Sequence, residues 1–324
     1  MPYELMRDSY KRFFKKFNIN VNDLVEFGLN DTIYPEPDNI DDKWEDLKTR
    51  INNNGEVYIR GYGRDAKGTD LYFKLYELLL DNYNIKKDPT NNAKPRQLLE
   101  RVTNYSKTKS SNGVYKISNY QVSHIFGRTK NPFMFTSPWN IMWCPKILDP
   151  FTGHESKGDY KQHYYKIFLK HVSMKYYKYI IEYNRIAESY LIKLDNVFEK
   201  MSEFIDSMNV DHQKFSKFKD DAKKEFSIIP VDEVIKDIQV VNEYLTNGKS
   251  HRWIQENILK IKAPSRGGGF ESMKILHNYN IKDDKKGVLQ KQNIFQEINK
   301  AKGKYREVLL CLQTYNTQTG GFNS

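Results

Sequence analysis

The chain has 324 residues, of which 52 are Lys or Arg and 41 are Asp or Glu, giving a formal net charge of +11. Hydrophobic residues at 39% and aromatics at 14% can build a core and exclude intrinsic disorder, and no run approaches the ~20 apolar residues of a membrane helix. Cys144 and Cys311 are the only cysteines, which excludes a disulfide framework or a zinc cluster. The expectation is a soluble protein of about two domains, cytoplasmic and bacterial-type, that does not engage a membrane. The positive balance favours a polyanionic partner, without choosing among nucleic acid, a membrane surface and simple solubility.

The predicted elements follow in order. Apolar residues from Leu5 to Phe17 recur at helical intervals. Tyr34–Asp42 is an acidic, proline-containing loop, and Trp44–Ile51 reads as a helix. Gly55–Tyr62 reads as a short strand and Thr69–Asn82 as an amphipathic helix. Between them, Gly63–Thr69 nearly fits the phosphate-cradling GxxxxGK[ST] pattern, but the lysine after the second glycine is missing. That turn is read as a β-to-α connection, with Arg60, Arg64 and Lys67 as candidate phosphate contacts. Asp38 with Asp46 and Lys48 faintly suggests a PD…(D/E)xK nuclease, but these residues lie too close together and are read as acidic surface. Pro95 opens a further helix, where its missing N–H costs nothing.

Ser106–Gly158 changes character, with turns and short β-like pieces at Val114–Ile117, Val122–Phe126 and Ile141–Cys144. Asn112-Gly113 is a hairpin turn signal. The segment from Tyr120 to Pro145 reads like an active site. His124 ends a β-like run, a polar loop bounded by Pro132 and Pro138 follows, and Asn140 opens the next run. Hydrolysing a phosphodiester needs a base to activate water, a role that a neutral imidazole suits. It also needs a divalent cation, which takes oxygen ligands such as an Asn carbonyl.

This pattern resembles the HNH, or ββα-metal, nuclease family, and most of all a type II restriction endonuclease. The resemblance covers Val114 to Asp159. It implies a small ββα-metal core inserted among helical flanks, so the expected fold class is α+β. It implies His124 as general base, and Asn140, sixteen residues on, as the residue that fixes the loop or reaches the metal. His154, with Asp149 behind it, would complete the shell of a Mg²⁺-like ion before a helix from about Asp159. Ser123 departs from the pattern, since the residue before the base is commonly Asp or His and binds metal. Arg128 and Lys130, between the two site residues, are candidate phosphate contacts. The bland alternative is a structural β-hairpin holding a hydrogen-bonded histidine.

From Gly158 to about residue 262 the chain reads as helical, and Pro264–Gly269 interrupts it. The aromatic stripe from Tyr164 to Tyr179 is read as helix core. The expected segments are therefore 1–110, 111–160, 161–262 and 263–324. The last holds 10 basic and 5 acidic residues, +5, against +2 for 111–160. Arg266, Lys285 and Lys286 are its candidate DNA contacts. Base readout needs surface beyond a small nuclease core, so the expectation is a sequence-specific, metal-dependent cutter of double-stranded DNA. A homodimer and a cognate methyltransferase, as a functional partner, would accompany it. The rivals are a non-catalytic nucleic-acid-binding protein and a structure-specific or RNA-directed nuclease. With an ordinary imidazole, the rate would fall below about pH 6.5.

Overall fold

Alternating apolar residues set the first strand: in β1 (Val57–Ile59), Val57 and Ile59 are fully buried and Tyr58 between them is not. The computed structural model describes residues 8–62, 66–108, 113–153, 156–205, 207–208, 210–264, 269–291 and 293–319. His154, Arg64 and Arg266 lie outside the described residues. Among the described residues helices dominate, with three two-stranded sheets among them, an α+β arrangement.

The first sheet pairs β1 in parallel with β2 (Ile85–Lys87), matching Ile59 with Lys87. The helix Ala66–Leu80 makes the crossover that a parallel pair requires. The β-to-α reading of the glycine turn matches this connection. β2 runs into Asp88, a fully buried carboxylate. Its oxygens accept the N–H groups of Thr90, Ala93 and Lys94 at 3.0, 2.9 and 2.7 Å. Asn92 makes no side-chain cap of its own, so Asp88 satisfies the start of the helix Ala93–Thr103 from upstream.

The second sheet pairs β3 (Tyr105–Ser106) with β4 (Tyr115–Lys116) in parallel. Asn112 of the Asn-Gly turn signal lies outside the described residues; β4 after it pairs in parallel with β3 rather than as a hairpin, and Gly113 has φ +83°. The third sheet is an antiparallel pair, β5 (Tyr120–His124) with β6 (Ile141–Pro145), in which His124 faces Ile141 and Tyr120 faces Pro145. β6 is buried at every residue, and its second edge bonds Ile33 through two backbone hydrogen bonds to Trp143. Leu99, Ile117, Ile141 and Trp143 form the core beneath this hairpin.

The contacts divide the chain into two compact units, Met1–Leu169 with Ile181–Ile229, and Lys170–Ile180 with Pro230–Ser324. This division does not follow the four expected segments. The 111–160 segment shares a unit with the N-terminal region, and the later boundary falls at Ile229 rather than near residue 262. In the second unit, the helices Asp232–Leu245 and Gly303–Thr319 bury Val240, Val241, Leu309 and Leu312. Its buried Asp237 bonds Tyr279 Oη at 2.6 Å and Lys170 Nζ at 2.8 Å. Tyr164, Phe168, Tyr176, Tyr177 and Tyr179 of the aromatic stripe are all buried, as core residues should be.

Candidate functional site

The site is built on the loop that joins β5 to β6. β5 delivers His124 at its last residue, and the chain then turns through Gly127 and Arg128, both with positive φ, at +66° and +53°. Asn140 closes the loop from within. Its side chain is fully buried, and its Oδ1 accepts the Phe126 N–H at 2.8 Å. Its Nδ2 donates to the carbonyls of Gly127 at 3.1 Å and Met134 at 2.9 Å. A backbone N–H can only donate and a carbonyl can only accept, so this network fixes which end of the amide is which. Asn140 is thus the residue that orders the loop. The amide is enclosed and both its ends are taken up by backbone groups.

The His124 ring lies against the Phe135 ring, with centroids 5.3 Å apart and planes 14° apart. Its Nε2 sits 2.9 Å from the Phe135 carbonyl oxygen. The carbonyl can only accept, so Nε2 carries the proton and Nδ1 keeps its lone pair. Burial pushes the imidazole down to about pKa 4. The Phe135 carbonyl and Asp88 oppose this, and Arg60 adds to it. The residue retains some accessible surface, yet protein occupies most of the space round its ring. The neutral form therefore persists well below pH 6.5, so the expected acid limb moves down towards pH 4.

The loop is also held from outside. The Arg128 guanidinium donates to Ser227 O at 2.9 Å, Ser227 Oγ at 3.0 Å, Ile228 O at 2.8 Å and Phe126 O at 2.9 Å. Lys130 Nζ pairs with Glu225 at 3.3 Å, and Glu225 also accepts the Lys130 N–H at 3.0 Å. In the fold Arg128 and Lys130 thus anchor the loop, with their charges set against protein oxygens. Asn131, which the sequence reading missed, is fully buried and donates to Glu225 O at 2.9 Å and Tyr183 Oη at 3.2 Å. Its Asn-Pro step was the available signal: Asn131 caps the short turn Pro132–Phe135 through the Phe133 N–H.

Asp149 is not brought to His124. Asp149 begins the short turn Asp149–Thr152, beyond the Pro145 end of β6. That end is separated from Ile141, opposite His124, by roughly 13 Å of strand. Asp149 bears instead on Cys144, whose thiol burial pushes up to about 12. Cys144 and Cys311 are both free and buried. Lys285 pairs with the buried Glu297 at 2.8 Å in the second unit, while Lys286 is exposed. His154 and Arg266 fall outside the described residues. Among the described residues no group of three His, Cys, Asp or Glu side chains could hold a metal ion. Asp46 pairs with Arg50 and Lys48 with Glu45 and Glu182, so the PD…(D/E)xK-like residues act as helix surface.

No helix among the described residues is long and apolar enough to cross a membrane. No solved structure matches the chain. A protein of Pasteurella multocida (strain Pm70), described as uncharacterized protein PM1201, is 38% identical over 223 residues, covering 65% of this chain and 98% of that protein. The family described as uncharacterised protein PM1201 matches residues 35–231, a span that holds His124, Asn140, Asn131 and the Glu225–Ile228 anchor and ends two residues past the first unit. By that match the chain belongs to the PM1201 family.

Proposed function

We propose that the chain is an endonuclease that hydrolyses phosphodiesters in double-stranded DNA, with His124 as general base. The observation that carries this reading is the state of His124: Nε2 is tied to the Phe135 carbonyl, which leaves Nδ1 as the acceptor at the end of a clamped loop. A histidine kept neutral with one fixed acceptor nitrogen is suited to take a proton from water. Nδ1 takes that proton, the hydroxide attacks phosphorus in line, and the 3′ oxygen leaves. The β5–β6 hairpin and the later helix Asp159–Lys175 support a ββα-metal reading of the core.

A Mg²⁺ requirement comes from the resemblance. The described donors do not fit a divalent-cation shell at His124: Asn140 is spent, Asp149 leaves from the other end of β6, and Ser123 offers only a hydroxyl.

The proposal extends to a sequence-specific, restriction-type activity. The second unit holds 18 Lys and Arg against 10 Asp and Glu, +8 of the chain's +11, and its part beyond the 35–231 family span carries +5 of that. A basic unit appended to a near-neutral one suits a surface that holds DNA while the other unit does chemistry. Dimerisation, a cognate methyltransferase and cytoplasmic residence belong to the same proposal. Incubating sequenced linear DNA with the protein and Mg²⁺ tests it: discrete fragments support a defined site, a smear removes the sequence specificity, and intact DNA removes the nuclease reading.

A further inference from the structure

With Arg128 and Lys130 committed to the protein, the first sheet supplies other cations beside His124. β1 ends at Ile59, and the next residue, Arg60, donates its N–H to Thr129 O at 2.9 Å. That bond stitches the end of the strand to the loop between His124 and Asn131. The Asp88 N–H donates to Ile59 O, also at 2.9 Å, which holds the end of β2 alongside. The Arg60 side chain is exposed, and among the described residues no side chain or carbonyl takes its guanidinium. Lys87, opposite Ile59, is likewise exposed and without a partner among the described residues. A Cβ on Gly61 would stand 2.6 Å from Lys87 Cε, so the lysine stem lies across this glycine, next to Arg60. The nearby Asp88 carboxylate is buried and bonded to three backbone N–H groups.

We infer that Arg60, with Lys87 across the adjoining glycine, grips the phosphate on which His124 acts. The inference rests on the reading of His124 as a general base and adds the residues that hold the substrate. An exposed guanidinium can fork onto two phosphate oxygens, and an ammonium beside it adds a point charge. The electrostatics favour this division of labour. The Arg60 charge reaches the imidazole and weakens it as a base. A phosphodiester anion docked on the guanidinium offsets that charge, so the base strengthens when substrate is present.

The full-length protein carrying Arg60→Gln or Lys87→Gln tests the inference. DNA affinity is measured in chelator across a salt series, and single-turnover cleavage is measured with Mg²⁺. Arg60→Gln is expected to slow cleavage of saturating DNA about 100-fold, with Arg60→Lys recovering part of the loss because it restores charge without the fork. Lys87→Gln is expected to weaken binding, and each Gln variant to reduce the log–log salt slope by about 0.9. Both side chains are exposed, so thermal midpoints near that of the parent separate these effects from misfolding. Parent-like cleavage and salt slope in Arg60→Gln would overturn the inference.

His124→Ala, run in parallel, keeps the two claims apart. If it cleaves like the parent, the base assignment fails. Arg60 is then read by NMR titration of the His124 ring: a short DNA duplex in chelator should raise its midpoint in the parent but not in Arg60→Gln. An unmoved midpoint in the parent would also overturn the inference.

Discussion

Replacing Asn140 with Asp exchanges an NH₂ group for an oxygen at constant shape, at a site with no exposure to solvent. One carboxyl oxygen can still accept the Phe126 N–H, but the other now faces the carbonyls of Gly127 and Met134. Ionised, it meets two acceptors; protonated, it can satisfy one of them. The carboxyl is therefore expected to ionise above the usual carboxylate range in the folded chain. A raised pKa means that the folded state holds its proton longer than the unfolded state. Stability relative to the parent is then retained below about pH 4 and lost as pH rises through the folded value. If that value is about pH 6, the loss at neutral pH is ~3 kcal/mol from ionisation alone. Asn140→Ala, which orphans one donor and two acceptors, should lose about 3–5 kcal/mol with no such pH dependence. Urea denaturation of both variants at pH 5 and pH 7, each against the parent, measures this. If Asn140 were a metal ligand instead, the carboxylate would strengthen metal binding and keep activity. A stable, active Asn140→Asp protein at pH 7 would refute the clamp.

Two further outcomes follow from the same geometry, and a third from the family resemblance. His124 is held down to about pKa 4, so the folded state binds fewer protons than the unfolded state between that value and pH 6.5. Its contribution is complete above pH 6.5 and is lost as pH falls towards 4, by at most about 3 kcal/mol, less for its partial exposure. In His124→Phe this part of the pH–stability profile should flatten, and an unchanged profile would contradict the depressed imidazole. Arg128→Ala removes four charge-assisted bonds and should cost about 2–4 kcal/mol while leaving the salt slope of DNA binding unchanged. A flattened slope at parent-like stability would return Arg128 to the DNA surface. The resemblance, rather than the geometry, predicts that a chelator abolishes cleavage and excess Mg²⁺ restores it, and metal-independent cutting would remove the cation.

Much of the local structure was legible because the physics is local. Period-two burial marks β1, aromatic spacing marks the helices after Gly158, and the His124–Asn140 frame marks the hairpin and its loop. What could not be read is where long-range partners lie. Arg128 and Lys130 look like free cations in the sequence, and only the fold brings Glu225 and Ser227, nearly a hundred residues on, against them. The pull on His124 comes from burial, with Arg60 just past β1 adding to it and the Phe135 carbonyl and Asp88 opposing it, and no spacing along the chain reveals this. The parallel pairing of β3 with β4 is likewise a long-range choice that the residues between them do not reveal. The charge distribution was legible only in part. The tail at 263–324 was correctly seen as basic, but the compact unit also takes in Lys170, Lys175 and Lys178 from mid-chain.

The central claim is that His124 activates water at the end of a clamped loop. Single-turnover cleavage of end-labelled DNA by the parent and His124→Ala, at matched and saturating protein, tests it most directly. The account predicts loss of cleavage by about two to four orders of magnitude in the variant, with DNA affinity retained. Cleavage at the parent's rate by His124→Ala would contradict it.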